Sequence, residues 1–556
     1  MSLYRALCLI LILLMTCGAV AENAESPAEP EEDVVSKEDA IKMLVLEAEV
    51  LADPAHQTID KANIFEGSLP NADHIRLETW LYDGDGNPIT DYQREDPIYF
   101  GDSSEYTQLE GITTFRGNNY RDQASYGTTG GEPEKFDLKW VVGIGGIDEW
   151  TGVGWTGQAS IVKWPAETVQ IMNIYDEKKA KGELTEVIYA TLDGKIYFLD
   201  FDDGEPTRDP IKVGAPIKGS LSVDPRGYPL LYCGQGIDEV DGKSVKIGTR
   251  IFSLIDHEVL LFIDGHDKNA YRHWYAFDSS PLIHAETDTM LQLGENGIFY
   301  TIKLNTDYDP AAGTISIDPE MVKYVYKSKI SSRPGMENSM AVYNNYAMFV
   351  DNSGLIQCVD INTMQPVWAG DVADDTDSTS VLEVEDDGGV MLYTANELDL
   401  RSDKGDCHIR KVNVMTGLQE WRVDVPVRQS GDDNGGAYAT PAIGKGSLKD
   451  YIYYQIARTS DGGTMFCINK ETGEIAWQRD LKAYGWSSPV CIYSDSGKGY
   501  VIVGSCSGQL RCLDGLTGEL ICDADLQANI EGSPIVYGNT IIVGTRGRKI
   551  AAITVN

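Results

Sequence analysis

Ile468-Asn469-Lys470-Glu471-Thr472-Gly473, followed four residues later by Trp477, is the stretch on which the fold turns. An apolar, alternating strand runs into Asn469, whose short amide side chain can bond nearby backbone and start a turn. Thr472-Gly473 completes that turn, with glycine supplying a positive φ at little steric cost. The next strand then leaves with an indole at a fixed place. The same phrase recurs as Val412-Asn413-Val414-Met415-Thr416-Gly417 reaching Trp421, and as Leu513-Asp514-Gly515-Leu516-Thr517-Gly518 reaching Cys522. Val359-Asp360 to Trp368 keeps the spacing with Met364 in place of the glycine, and Leu199-Asp200 through Gly204 is a weaker copy. A large ring at one position per repeat reads as a packing contact between successive sheets.

Upstream of each turn lies a second hairpin, such as Tyr500–Ser505 turning at Ser507-Gly508 into Gln509–Leu513. Before that comes a strand opened by a small hydroxylated residue. Each repeat is therefore four antiparallel strands, the content of one propeller blade. The openers are Ala159-Ser160, Gly219-Ser220, Ser279-Ser280-Pro281, Asn338-Ser339, Thr379-Ser380, Ala439-Thr440-Pro441, Ser488-Pro489 and Ser533-Pro534, which makes eight blades. The last repeat runs out after its third strand at Ile550–Asn556. Lys135–Val141 carries the Trp140 of a fourth strand without a preceding three, so it is expected to close the ring. Closure removes the open sheet edges that invite aggregation.

The unit Asp-x-x-Thr-Gly-x-x-x-Trp resembles the repeat of pyrroloquinoline-quinone-type propellers. That group includes quinoprotein alcohol dehydrogenases and a bacterial lipoprotein that scaffolds outer-membrane β-barrel assembly. The likeness covers 135–556, and Thr114-Phe115-Arg116-Gly117-Asn118 with Arg121 and Gly127 looks like a lead-in found before such propellers in secreted bacterial proteins. Eight blades is also what the resemblance implies. The dehydrogenases are implied to clamp their quinone with adjacent cysteines and a Trp platform and to hold calcium beside a catalytic Asp. This chain has no Cys-Cys pair, and no Glu, Asn and Asp set matches the calcium motif. The expectation is a propeller without cofactor or metal, not an enzyme.

Aligning the openers places one variable residue two positions before each Ser or Thr: Gln158, Lys218, Asp278, Glu337, Ser378, Tyr438, Trp486 and Glu531. Innermost strands start at one mouth of the central channel, so these eight should ring it as a ligand-binding set. Acids, a lysine and aromatics on one radius suit a polar ligand with a stackable face, a sugar or a peptide segment. Solvated loop chemistry without a ligand is the competing reading. His257, His266, His273 and His284 match no metal spacing and read as loop histidines. Asp371, Asp374, Asp375 and Asp377 could offer calcium their oxygens, but read by default as a solvated turn. Trp150, Trp155 and Trp164 read mainly as packing, and Asp83-Gly84-Asp85-Gly86 as a turn with Pro88 where a calcium loop needs glycine. No nucleophile elbow, P-loop or zinc-helix motif is present.

The 556 residues carry 46 Lys and Arg against 86 Asp and Glu, a formal charge of −40. That excludes sequence-independent nucleic-acid binding, which depends on cations displacing counterions from phosphates. Residues 1–21 read as a secretory signal peptide: Arg5, an apolar run from Ala6 to Met15, then Ala19-Val20-Ala21. A lipoprotein reading, with Cys17 lipidated, competes. Residues 22–39 form an acidic flexible linker, and 40–134 an N-terminal helix (Ala40–Leu51) followed by a mixed segment with a strand at Ile75–Leu81. No later segment reaches about 18 consecutive apolar residues, so no transmembrane segment is expected in the mature chain. Cys358, Cys467 and Cys512 share one repeat slot and are read as buried packing residues.

The fold class read from the sequence is all-β. It is an eight-bladed propeller of four-stranded antiparallel blades over 135–556, closed by an N-terminal strand and preceded by a small helix-containing segment. The function read from it is an exported, secreted or cell-surface scaffold or recognition protein, with a protein or glycan partner in the envelope or outside the cell. The alternatives are a carbohydrate or small-ligand binder using the channel mouth, and a quinoprotein-like oxidoreductase.

Overall fold

A computed structural model describes residues 75–155, 157–400, 404–429, 434–459 and 462–556. The signal peptide, Cys17, the acidic linker and the helix expected at Ala40–Leu51 lie outside the described residues. Eight antiparallel sheets follow one another around the ring, and their innermost strands begin at Ser160, Ser222, Leu282, Ala341, Val381, Ala442, Val490 and Ile535. The helices within the described residues are short, Ala166–Ile171 and Asp176–Lys179 the longest.

The eighth blade is built from both ends of the propeller. Its third strand, Lys549–Val555, pairs antiparallel with Phe136–Gly143, and Ala552 faces Trp140 across the pair. The closing strand expected at Lys135–Val141 is therefore in place.

Two repeated contacts join blade to blade. Trp140, Trp368, Trp421 and Trp477 each donate the indole N–H to a carbonyl of the next blade, those of Phe201, Val414, Lys470 and Gly515, at 2.7–3.0 Å. Each ring lies on the glycine of that blade's turn. A Cβ at Gly204, Gly417, Gly473 or Gly518 would fall 2.7–3.0 Å from the indole. Glycine is thus required twice, for its positive φ and for the close approach. The exceptions obey the same rule. Met364 takes the left-handed conformation in the fourth blade, where the preceding outer strand, Glu320–Lys327, carries no Trp. Cys522 replaces Trp in the seventh blade because the eighth draws its outer strand from Phe136–Gly143 and has no such turn.

The second contact is made at the openers. Ser280, Ser339, Thr379, Thr440 and Ser488 each donate the backbone N–H to the hydroxyl of the next blade's opener: Ser339, Thr379, Thr440, Ser488 and Ser533 in turn, at 2.8–3.1 Å. Gln158 does the same to Ser220 at 2.9 Å. This chain of bonds is why small hydroxylated residues recur as openers; where it meets the first blade, the Ser533 N–H goes instead to the Gly157 carbonyl.

The segment before the closing strand passes along the inner strands. Gly111 and Ile112 pair with the first blade; Thr113, Asn119, Tyr120 and Ala124 accept backbone N–H groups from the second, fourth, fifth and eighth. Arg121 donates to the carbonyls of Met340 and Ser280, Arg116 to that of Pro441, and Ser125 to that of Cys491. Both arginines are fully buried. Glu78–Asp83 adds a strand to the outer edge of the third blade against Glu320–Lys327, and the Asp83 carboxylate accepts from Asn87, which settles that loop as a turn. Cys358, Cys467 and Cys512 are buried free thiols.

The indole–glycine contact makes a direct prediction. Gly473→Ala should cost about 1–3 kcal/mol, from the left-handed backbone and the crowded ring. Gly473→Ala and Trp421→Leu together should cost less than the sum of the two changes made separately. A double-mutant cycle by urea denaturation measures the coupling, and strict additivity would refute the contact.

Candidate functional site

The hydroxyl chain fixes which residues stand two positions ahead of each opener. Lys218, Asp278, Glu337, Tyr438, Trp486 and Glu531 do so as expected. The fifth blade is corrected by one residue: its opener is Thr379, which bonds Thr440, so the channel-facing residue is Asp377. Ser378 instead donates to the Ala439 carbonyl and is buried in the ring wall. In the first blade Gln158 occupies the opener position itself, with its side chain bonded to Arg116 and Thr114. Gln158 and Ser378 therefore do not reach the mouth. Glu531 pairs with Arg546 at 3.1 Å.

Lys218, Glu337, Asp377, Tyr438 and Trp486 converge on one cavity of about 320 Å³. Other groups come from the turn between the second and third strands of a blade, which returns to the same end of the channel. They include Glu295, Asn352, Glu397 and Asp399. Arg272, Trp274 and Arg333 come from connections between blades, as do Trp155 and Asp375. The run read as a solvated turn is mostly buried. Asp374 accepts backbone N–H groups from Asp375, Asp399 and Leu400, which fixes the chain so that Asp375 and Asp377 line the cavity. The sequence offered one clue to the missed residues: polar residues in or beside the turn of each inner hairpin, as in Glu295-Asn296-Gly297.

Trp155, expected as packing, is part of the mouth. Its backbone φ is 49°, a costly conformation for a bulky residue and one often kept for function. Its indole donates to Glu337 Oε1 at 2.8 Å and its ring centroid lies 4.7 Å from that of Trp486. Trp486 stacks on Tyr438, with centroids 4.2 Å apart and planes 9° from parallel. Trp164, by contrast, is buried and bonded to Glu186.

Lys218 sits 2.8 Å from Asp278, 3.2 Å from Glu337 and 4.3 Å above the Trp155 ring. Burial works against its charge, but the carboxylates of Asp278, Glu337 and Glu295 prevail and hold the ammonium well above its usual range. Burial, and then repulsion among neighbours, pushes Glu295, Asp375, Asp377 and Glu397 well above the ordinary carboxylate range. Two triads have carboxylate oxygens within 4.8 Å of one another: Asp278, Glu295 and Glu337, and Asp375, Asp377 and Glu397. Either could hold a cation.

A pyrroloquinoline quinone, the group the fold family implies, does not suit these donors. Six carboxylates face three cations around the cavity, and a tricarboxylate quinone would add negative charge to a negative site. Tyr438 and Trp486 are moreover stacked on each other rather than held apart for a third ring.

Stability should follow the raised carboxylates. In the window between their ordinary value of about 4 and their higher folded-state values, the folded chain binds more protons than the unfolded one. Stability from these groups is therefore lost as pH rises through that window and gained as it falls. The melting temperature should climb as pH falls from the alkaline side toward the ordinary carboxylate value, and Asp377→Asn with Glu397→Gln should flatten the climb. An unchanged slope in that variant would contradict the assignment.

The family described as Outer membrane protein assembly factor BamB matches residues 461–556. A relative carrying that name, from Legionella pneumophila (strain Paris), is 22% identical over 206 residues, 37% of this chain. The match spans 47% of that curated relative's length. Among solved structures, the quinohemoprotein alcohol dehydrogenase of Comamonas testosteroni superposes with a TM-score of 0.53 at 11% identity, over 80% of each chain. Quinohemoprotein alcohol dehydrogenase ADHIIG of Pseudomonas putida HK5 gives 0.52 at 10% identity, also over 80% of each. These likenesses to solved structures concern the fold. With the repeat unit, the eight closed blades and the match over the last two blades together, the chain is a β-propeller of the pyrroloquinoline-quinone-like repeat type.

Proposed function

We propose that the chain is a non-catalytic, cofactor-free recognition scaffold of the cell envelope, which holds a protein partner at the mouth of its propeller. One observation carries this reading: the Tyr438–Trp486 stack and a surplus of carboxylates converge on a cavity set in a closed ring of blades. Aromatic rings in a fixed wall are the side chains that most often dominate protein recognition. The similarity to a protein named as an assembly factor supports a protein partner, and the same similarity supports an envelope location. Among the described residues no helix is long and apolar enough to cross a membrane.

The purified mature chain should show no stoichiometric quinone absorbance. In a screen of immobilised peptides and glycans, it should retain peptides, and Tyr438→Ala with Trp486→Ala should weaken that retention at least about tenfold, as expected for a pair of aromatic anchors. Glycan binding lost in the same variant would move the mouth to sugar recognition. Binding of either kind that survives the substitutions would remove the mouth from the function. The exported protein should begin at Glu22 by mass spectrometry, whereas a diacylglyceryl group on Cys17 would make it a lipid-tethered protein.

A further inference from the structure

The mouth has two halves of like composition. In one, the chain fills its own site: the Lys218 ammonium lies among Asp278, Glu295 and Glu337 against the face of Trp155. In the other, Asp375, Asp377 and Glu397 bring their oxygens within 4.8 Å of one another, beside the Tyr438–Trp486 stack. Among the described residues, no Lys or Arg nitrogen lies within 4.0 Å of these three carboxylates. The other mouth cations are engaged elsewhere, Arg333 with Asp399 at 3.7 Å and Arg272 with the Asn352 side chain at 3.0 Å.

Glu397 supplies the second observation. It is only 2% exposed, its Oε1 accepts from Asn434, and its Oε2 has no hydrogen-bond partner among the described residues. A buried carboxylate oxygen without a partner is costly, and a triad of carboxylates with no cation among them is more so. The aromatic faces select among cations. A bare metal ion gains little from an indole beside it, whereas an alkylammonium is held by carboxylates at its head and by ring faces along its stem. Lys218 already shows that arrangement in the neighbouring half.

We propose that Asp375, Asp377 and Glu397 form a receiving slot for a primary alkylammonium group, a lysine side chain presented by the partner. This rests on the reading of the mouth as a recognition surface. The chain's own Lys218 and the incoming lysine would then sit side by side, each with its own carboxylates and its own aromatic wall.

The test uses the full mature chain and isothermal titration calorimetry, with tetralysine as probe. The variants are Asp377→Asn with Glu397→Gln, and a surface control, Asp386→Asn with Asp387→Asn. Tetralysine should bind the wild type and the control alike, and bind the slot variant at least tenfold more weakly. Tetralysine acetylated on every side-chain amine should not bind. Removing like charge should leave the variant's melting temperature equal to or above that of the wild type, which separates loss of the slot from loss of the fold. Equal tetralysine binding in wild type and slot variant overturns the proposal. Stoichiometric calcium binding that the slot variant loses, with no tetralysine binding, overturns it in favour of a metal. Spermidine binding as tightly as tetralysine overturns the assignment to a protein lysine in favour of a free polyamine. Should tetralysine fail while peptide retention still depends on Tyr438 and Trp486, the slot falls and the scaffold reading stands.

Discussion

An innermost propeller strand has no sheet neighbour on its axial side, so eight of them aim unpaired backbone groups into one narrow space. Buried N–H and C=O groups must find partners. Here much of that demand is met by one stretch of chain, Gly111–Tyr126, which hydrogen-bonds to every blade in turn. Arg121 directs its guanidinium to the carbonyls of Phe115, Ser280 and Met340 and to the Thr114 hydroxyl. Burial lowers its pKa to about 10, which still leaves it charged at neutral pH. A buried cation thus takes backbone carbonyls as its partners along the inner strands.

With the axis filled along the inner strands, polar chemistry is concentrated at the ends where those strands begin. The hydroxyl chain and the indole–glycine contacts set the angular spacing of the blades, and hence the radius on which Lys218, Glu337, Asp377 and Trp486 meet. Position in that cavity is therefore a property of the ring, not of any single loop. Groups on different blades are held against their mutual repulsion by the cooperative packing of the whole circle, which is why several carboxylates can be kept so close together.

The blades, their number and the closing strand were legible because each repeat carries a short chemical phrase whose turn and ring serve a fixed geometric purpose. Even the departures, Met364 and Cys522, follow from what the adjacent blade offers. The mouth was legible only as far as its register. Thr379 and Ser380 are adjacent hydroxylated residues, and nothing local says which one accepts the N–H of the previous blade; the wrong choice exchanges Asp377 for Ser378. Gln158 misled for a related reason, since in the first blade the Gly157 carbonyl, not a side-chain hydroxyl, accepts the N–H of the previous blade. Glu295 and Glu397 were missed because they belong to hairpin turns, and only the fold shows that those turns come back to the same end as the openers. The acidic run at Asp371–Asp377 looked solvated because burial of carboxylates is rare in general and depends here on Asp374 gathering three backbone N–H groups.

The pairing of Phe136–Gly143 with Lys549–Val555 has a consequence for how the molecule comes into being. During synthesis the first of these strands emerges early and must wait, partnerless, while the intervening repeats are made. Each repeat can stack on the one before it, but the circle stays an open arc until the final hairpin arrives. Closing the circle is thus a long-range meeting between early and late parts of one polypeptide, with the loop entropy that such a meeting entails.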